Sequence, residues 1–171
     1  MNNALKNGVI LGALLIIGSL ALSMISSSIF LMFKTYIFLV LFIAALVYFG
    51  NGYKKGNGGF LTFGEAFKYL FLISAIAVTL CTIFEYVLFN YINPGLIVEQ
   101  REMAVEAIEK FGSFLGEDII EESMNQIEQQ EFNTIGKTIQ AFIMRLIFPA
   151  AGLALIIGAI IKKKRPENMS A

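Results

Sequence analysis

The chain of 171 residues carries 13 basic and 13 acidic side chains, no histidine and one cysteine; 57% of it is hydrophobic and 15% charged, with a mean hydropathy of +0.72. Soluble domains are about 45 to 50% apolar and about 25% charged, so a water-exposed fold could not hide this much apolar surface. The missing histidine excludes His-ligated metal centres and Ser-His or Cys-His nucleophiles, and the lone Cys81 excludes a disulfide framework or a cysteine metal site.

From Gly8 to Gly50 the sequence is apolar or small except for Lys34 and a few hydroxyl residues. At 1.5 Å per residue this stretch is roughly twice the ~30 Å hydrocarbon thickness of a bilayer. It therefore predicts two spans, about residues 8–28 and 31–49, folded back on a turn between Met24 and Thr35. Lys34 then falls near the outer interface and is expected to be a snorkelling anchor, stem in lipid and ammonium in water. Gly8 and Gly12 have the small-xxx-small spacing that lets helices approach closely, which serves internal packing and dimerisation equally. The first span also has a reading as a signal peptide, with Lys6 ahead of it and Ala21, Leu22 and Ser23 as a small-residue site. Apolar residues continue past that site with no polar sequence behind it, which favours a retained span.

Gly50 to Gly64 is polar and glycine-rich, with Lys54 and Lys55, and is expected to be a flexible interfacial turn; it has no Gly-Lys-Ser/Thr triplet of a phosphate-binding loop. Thr62-Phe63-Gly64-Glu65 fits the capping box, in which Thr62 and Glu65 satisfy the exposed backbone donors at a helix start. A third span over about 66–92 follows and is ended by Asn93-Pro94-Gly95. The fourth, about 139–161, holds the small-residue series Ala150, Ala154 and Gly158 and stops at Lys162-Lys163-Lys164-Arg165 before Pro166.

Between spans three and four, residues 96–138 hold ten acidic side chains against Arg101, Lys110 and Lys137, a local charge of −7. Apolar residues recur there at helical spacing, Ala104, Ile108, Phe111 and Leu115 and then Ile120, Met124 and Ile127, with Gly112 and Gly116 near the break. The pattern predicts a pair of short amphipathic helices, packed on each other or on the membrane surface. The fold class expected is thus all-α: one polytopic membrane domain of four transmembrane helices with an extracytoplasmic acidic helical segment between helices three and four.

Orientation follows from the lysines and arginines. A cytoplasmic N-terminus puts Lys6, Lys54, Lys55, Lys68 and the four basic tail residues inside, against Lys34, Arg101, Lys110 and Lys137 outside, as the positive-inside rule requires. Four spans return the C-terminus to the same side.

Two charges lie deep within the later spans. Glu85 is eight residues before Asn93 and Arg145 seven after Thr138, so both sit roughly 10 to 12 Å deep on antiparallel helices. An arginine at a helix centre costs about 2.5 to 3.5 kcal/mol on insertion scales, and an opposite charge at the same level relieves it, so Glu85 and Arg145 are expected to pair in the bundle interior. Pro149 lacks an N–H and leaves the Arg145 carbonyl without its helical donor, which predicts a kink there, with a water or a hydroxyl such as Thr82 supplying the hydrogen bond. The pair has two readings, a register lock and a polar relay or ligand site. Asp118 is the only aspartate, so there is no intramembrane aspartyl dyad, and no lysine or glutamate stands beside a recognisable nucleophile.

The layout resembles a known group, the bacterial membrane proteins classed as domain of unknown function 4199. The likeness rests on two early spans, a Gly/Lys-rich loop, Leu61-Thr62-Phe63-Gly64-Glu65-Ala66-Phe67 opening span three and Tyr91-Ile92-Asn93-Pro94 closing it. An acidic helical insertion and a last span with a basic tail complete it. The resemblance implies a bacterial membrane location and brings no assigned activity and no catalytic residue.

The function expected is that of a non-enzymatic inner-membrane protein without a cofactor or bound metal, acting by helix packing within the bilayer and by its acidic outer segment on a partner, a membrane protein or a second copy of itself, and with no nucleic-acid partner. The alternative is a small oligomeric transporter or channel component using Glu85 and Arg145. The topology is open to direct test: reporter fusions at Ala171 should give a cytoplasmic signal and fusions within 117–131 an external one, and a cytoplasmic signal at the second site would overturn the orientation.

Overall fold

The computed structural model describes residues 2–115, 117–129 and 134–164, and these are almost entirely helical. Helix α1 is Asn2–Ile25 and α2 is Ser27–Gly56; α3 is Phe63–Val87, prolonged by a π-helical turn at Leu88–Ile92. Then come α4, Gly95–Leu115, α5, Glu117–Gln129, and α6, Ile135–Arg145, which runs through a second π segment, Leu146–Gly152, into α7, Leu153–Ile161. Four of these stretches, Asn3–Ile25, Ser27–Gly56, Phe63–Ile92 and Ile135–Ile161, are long and apolar enough to cross a membrane. The chain is a multi-pass membrane protein by that measure, and residues such as Leu14, Ile17, Tyr36, Val40 and Ile160 face outward as hydrocarbon-facing surface.

The α1–α2 reversal is a single residue. Ser26 is extended (φ −164, ψ 127) and its Oγ accepts from the Ile29 N–H at 3.4 Å, capping α2. The second helix thus begins at Ser27, four residues earlier than expected. At its other end α2 runs on to Gly56, so the first half of the expected glycine-rich turn is helix. Lys54 and Lys55 are in its last turn, where cations complement the helix dipole. Gly50 is a packing residue: a Cβ there would lie 2.7 Å from Ile161 Cδ1 and 3.2 Å from Leu70 Cδ2. The true turn is short and uses the positive φ of Gly58 and Gly59, 69° and 84°.

Thr62 and Glu65 form the capping box. The Glu65 N–H donates to Thr62 Oγ1 at 3.3 Å, and Glu65 Oε2 accepts from the Thr62 N–H at 3.0 Å. Just before it, Leu61 and Lys163 exchange both backbone hydrogen bonds, at 2.8 and 2.9 Å, joining the start of α3 to the basic tail after α7. Lys162 and Lys163 lie over the Phe63 and Phe60 rings, 6.0 and 5.7 Å from their centroids.

Helix α3 is central, touching α1, α2, α6 and α7. Leu70, Ile73 and Ala77 are fully buried among Leu11 and Leu15 of α1, Leu46 of α2 and Ala154 and Ile157 of α7. The small-residue series all serve this internal packing. Gly8 and Gly12 lie against Ile76 and Leu80, and Gly158 against the backbone of Phe67. A second, smaller cluster joins Phe30 of α2, Leu88 and Phe89 of the first π turn and Leu96 of α4, all buried. It anchors α4 across one end of the bundle, with Ser28 of α2 donating to Glu99 of α4. From there α4 and α5 pack on each other, with Ile127 buried and Glu102, Glu106, Glu109, Glu121 and Glu122 exposed. Lys110 donates to Glu106 at 2.6 Å and holds its carboxyl below the usual carboxylate range. The side chains of Phe111 to Ile119, among them Phe111 and Leu115 of the expected apolar stripe, lie outside the described residues.

A pair of glycine substitutions tests the α1–α3 contact. A Cβ on Gly8 would meet Ile76 Cβ at 2.8 Å and the Ile73 carbonyl at 3.0 Å, whereas one on Gly52 meets nothing within 4 Å. Gly8→Ala should destabilise by about 1 to 3 kcal/mol through overpacking. Gly52→Ala, in open helix, should be neutral or stabilise by up to about 1 kcal/mol. Unfolding of the purified protein in mild detergent measures both, and equal effects would mean α1 does not pack here.

Candidate functional site

The charged residues of three spans meet. Arg145 Nη1 of α6 lies 2.5 Å from Glu85 Oε2 of α3, and Lys34 Nζ of α2 lies 3.5 Å from Glu85 Oε1. The side chains are largely enclosed, 19% exposed for Glu85, 17% for Lys34 and 37% for Arg145. Glu85 thus gives one oxygen to each cation, and two positive charges share one negative. The ammonium of Lys34 also lies between aromatic faces, 4.8 Å from the Phe30 centroid and 4.9 Å from that of Phe89.

Lys34 is therefore not the interfacial anchor expected. Because α2 begins at Ser27, Lys34 is two turns inside the helix, about 10 Å along it. That is the level of Glu85 on α3. The depth comparison that links Glu85 to Arg145 in the sequence would have found Lys34 too, had the turn been placed at Ser26.

Both π segments border the cluster. Leu88–Ile92 starts three residues after Glu85, with the Asn93 N–H donating to the Leu88 carbonyl at 2.7 Å, a five-residue step. Leu146–Gly152 starts directly after Arg145 and contains Pro149. A π turn pairs each carbonyl with the N–H five residues on, so the missing Pro149 donor is bypassed within the helix. Thr82 is not the substitute donor expected. The residue is only 6% exposed, with Oγ1 unpartnered among the described residues.

Thr82 belongs instead to a polar cavity of ≈ 310 Å³ beneath α4, lined by Lys34, Glu85 and Arg145 and by Gln100 and Lys137. Gln100 Oε1 is likewise buried without a partner. Sequence reasoning missed Gln100 and Lys137, since only the return of α4 over the bundle brings the first to the site and nothing in the local pattern marks the second. On the other side of the ion cluster, Phe38, Phe42, Val78, Cys81 and Pro149 line a mainly apolar cavity of ≈ 220 Å³ that shares the same three charges. A larger cavity of ≈ 1150 Å³ lies between α1 and the end of α2, away from these groups, where the Tyr69 hydroxyl accepts from Asn7 at 2.7 Å. The convergent, partly buried charges, not cavity size, mark the functional candidate. Thr62 and Glu65 stand apart, Glu65 being about 30 Å along α3 from Glu85.

Among the described residues no three His, Cys, Asp or Glu side chains group as metal ligands. Cys81 faces α1, its Sγ 3.9 Å from the Gly12 carbonyl.

The model of one protein family, proteins of unknown function (DUF4199), matches residues 6–163, nearly the whole chain, and the chain belongs to that family. No curated protein and no solved structure matches it.

Double-mutant cycles test the shared carboxylate. Glu85→Ala should destabilise by about 3 kcal/mol, because it leaves two enclosed cations facing each other. Paired with Arg145→Ala, and separately with Lys34→Met, it should show a coupling of about 1 to 3 kcal/mol in detergent unfolding. Additive effects for Lys34 would restore it to a surface anchor.

Proposed function

We propose that the protein is a non-enzymatic binding protein of a bacterial cytoplasmic membrane, working at the charged site between α2, α3, α4 and α6. In this reading both termini are cytoplasmic and the acidic α4–α5 segment lies outside, above the site. The observation that carries the reading is the convergence on one cavity of Lys34, Glu85 and Arg145 with two buried polar atoms, Thr82 Oγ1 and Gln100 Oε1, that have no partner among the described residues. Buried polar groups are nearly always hydrogen-bonded, so two orphans beside an ion cluster suit a site that completes its bonds with a ligand. Catalysis has less support, because both Glu85 oxygens are engaged by cations and no side chain among the described residues forms a nucleophile–base pair with it. A membrane-protein partner or second copy would meet the outward apolar faces or the exposed glutamates of α4 and α5.

A second reading, a small transporter or channel component, is favoured by one observation: the ion cluster stands between two cavities that both reach it. Breaking the cluster would then join them.

Native mass spectrometry of the protein released from mild detergent tests the first reading. The wild type should retain a small bound molecule that Thr82→Val or Gln100→Leu loses, and a wild type free of any such mass under gentle release would refute it. Liposomes decide the second: solute or ion flux that disappears with Glu85→Gln would establish transport, and silence across protons, common ions and small solutes would retire it.

A further inference from the structure

The polar cavity does not end at polar walls. Thr82, Tyr86 and Thr138 also line a neighbouring groove of ≈ 350 Å³ between α3 and α6, whose remaining walls include Ile83, Ile139 and Phe142. Its lining is almost wholly apolar, and Ile83 and Ile139 are exposed on the hydrocarbon-facing side. The two spaces are thus a charged compartment and an oily one that share a border. Among its described lining residues, the charged one holds Lys34 and Arg145 sharing the carboxylate of Glu85.

Resting on the binding function above, we propose that the site takes an anionic amphiphile, with its carboxylate or phosphate head in the polar cavity and its acyl chain in the α3–α6 groove. An oxyanion head offsets the cation excess left when Lys34 and Arg145 share one carboxylate. It also accepts from the Thr82 hydroxyl, whereas Gln100 Oε1 only accepts and would be met by a hydroxyl on the head group, not by its oxyanion. The position along the bundle agrees. Lys137 and Thr138 lie in the first turn of α6, at the end of its span, while Arg145 is about two turns deeper, so the head enters from the interfacial level and the chain lies along the hydrocarbon. A free phosphate or a short carboxylate shares the head chemistry and would leave the groove unused.

The test uses the full chain, delipidated in an uncharged detergent and titrated with dioleoylphosphatidylglycerol, oleate, dioleoylphosphatidylcholine, inorganic phosphate and acetate, read by native mass spectrometry and thermal stability. The phosphatidylglycerol or oleate should bind one per chain at least about tenfold more tightly than phosphatidylcholine, phosphate or acetate, the minimum for one charge-assisted contact. Arg145→Gln should remove most of that preference. Since that variant disturbs the ion cluster, Thr82→Val and Ile139→Trp serve as a second arm: each leaves the three charges in place, and each should weaken oleate several-fold, Ile139→Trp without changing phosphate. Lys6→Gln, at a distant cationic position, should change nothing.

Equal affinity for phosphatidylcholine would overturn the headgroup assignment, and phosphate or acetate binding as tightly as oleate would overturn the acyl groove. A Lys6→Gln loss matching that of Thr82→Val would replace the site with a diffuse basic surface. If no amphiphile binds while the protein retains a soluble compound, the amphiphile assignment fails and the binding function stands. If nothing binds at all, both fail.

Discussion

A carboxylate in the hydrocarbon-level interior of a helical bundle is stable only if cations hold it there, and Glu85 is held by two. The Coulomb energy of such contacts rises as the surroundings become less polar, while each ion alone would carry a desolvation penalty of several kcal/mol. The three groups are therefore interdependent. Because they come from α2, α3 and α6, their meeting sets the rotation and axial position of three of the four spans together. The fourth, α1, is placed by shape, with Gly8 and Gly12 letting its backbone approach α3. The aromatic walls around Lys34, Phe30 and Phe89, belong to the same buried cluster as Leu96, so the seating of α4 depends on the charge cluster below it.

The two π segments border the same cluster. Charged side chains on antiparallel helices meet only if both helices present the right face at the right level, and an α-helix offers a new face only every 100° or so. A five-residue step shifts the face locally without ending the helix. One such step follows Glu85 and the other follows Arg145. Pro149 explains the second, because it removes an α-helical donor in a place where water is scarce. At the first, the Asn90 side chain donates to the Tyr86 carbonyl at 2.8 Å, satisfying an acceptor in the turn just before the widened one.

Local chemistry was legible in the sequence and assembly was not. Four spans, the Thr62–Glu65 cap, the Asn93-Pro94-Gly95 stop and the Glu85–Arg145 contact all follow from hydropathy, capping rules and residue counting. Lys34 was misjudged for one reason: the α1–α2 reversal needs only Ser26, and placing it later moved Lys34 from the interior to the rim. The stretch from Gly50 to Gly56 was misjudged because glycine is ambiguous between a loop and a helix packed closely on a neighbour, and only the positions of Leu70 and Ile161 settle Gly50 as the latter. Gln100 carried no signal at all. It belongs to an acidic helix that reads as a solvated face, and it matters only because α4 folds back over the bundle.

In the binding function proposed above, stability and binding draw on the same groups, which would give the site a built-in coupling. A register lock needs one ion pair and satisfied neighbours; this cluster has a cation beyond that pair and two buried polar atoms without partners, so the described residues alone leave it short of its most stable arrangement. Sites kept for function commonly sacrifice stability in this way. An anion that completes the cluster binds the folded chain and not the unfolded one, and so adds stability in proportion to the logarithm of its concentration over its dissociation constant. The tightness of the bundle at α2, α3 and α6 then reports occupancy of the cavity. Because α4 is seated on the same aromatic cluster, the acidic α4–α5 hairpin is the part of the chain best placed to show that difference on the surface.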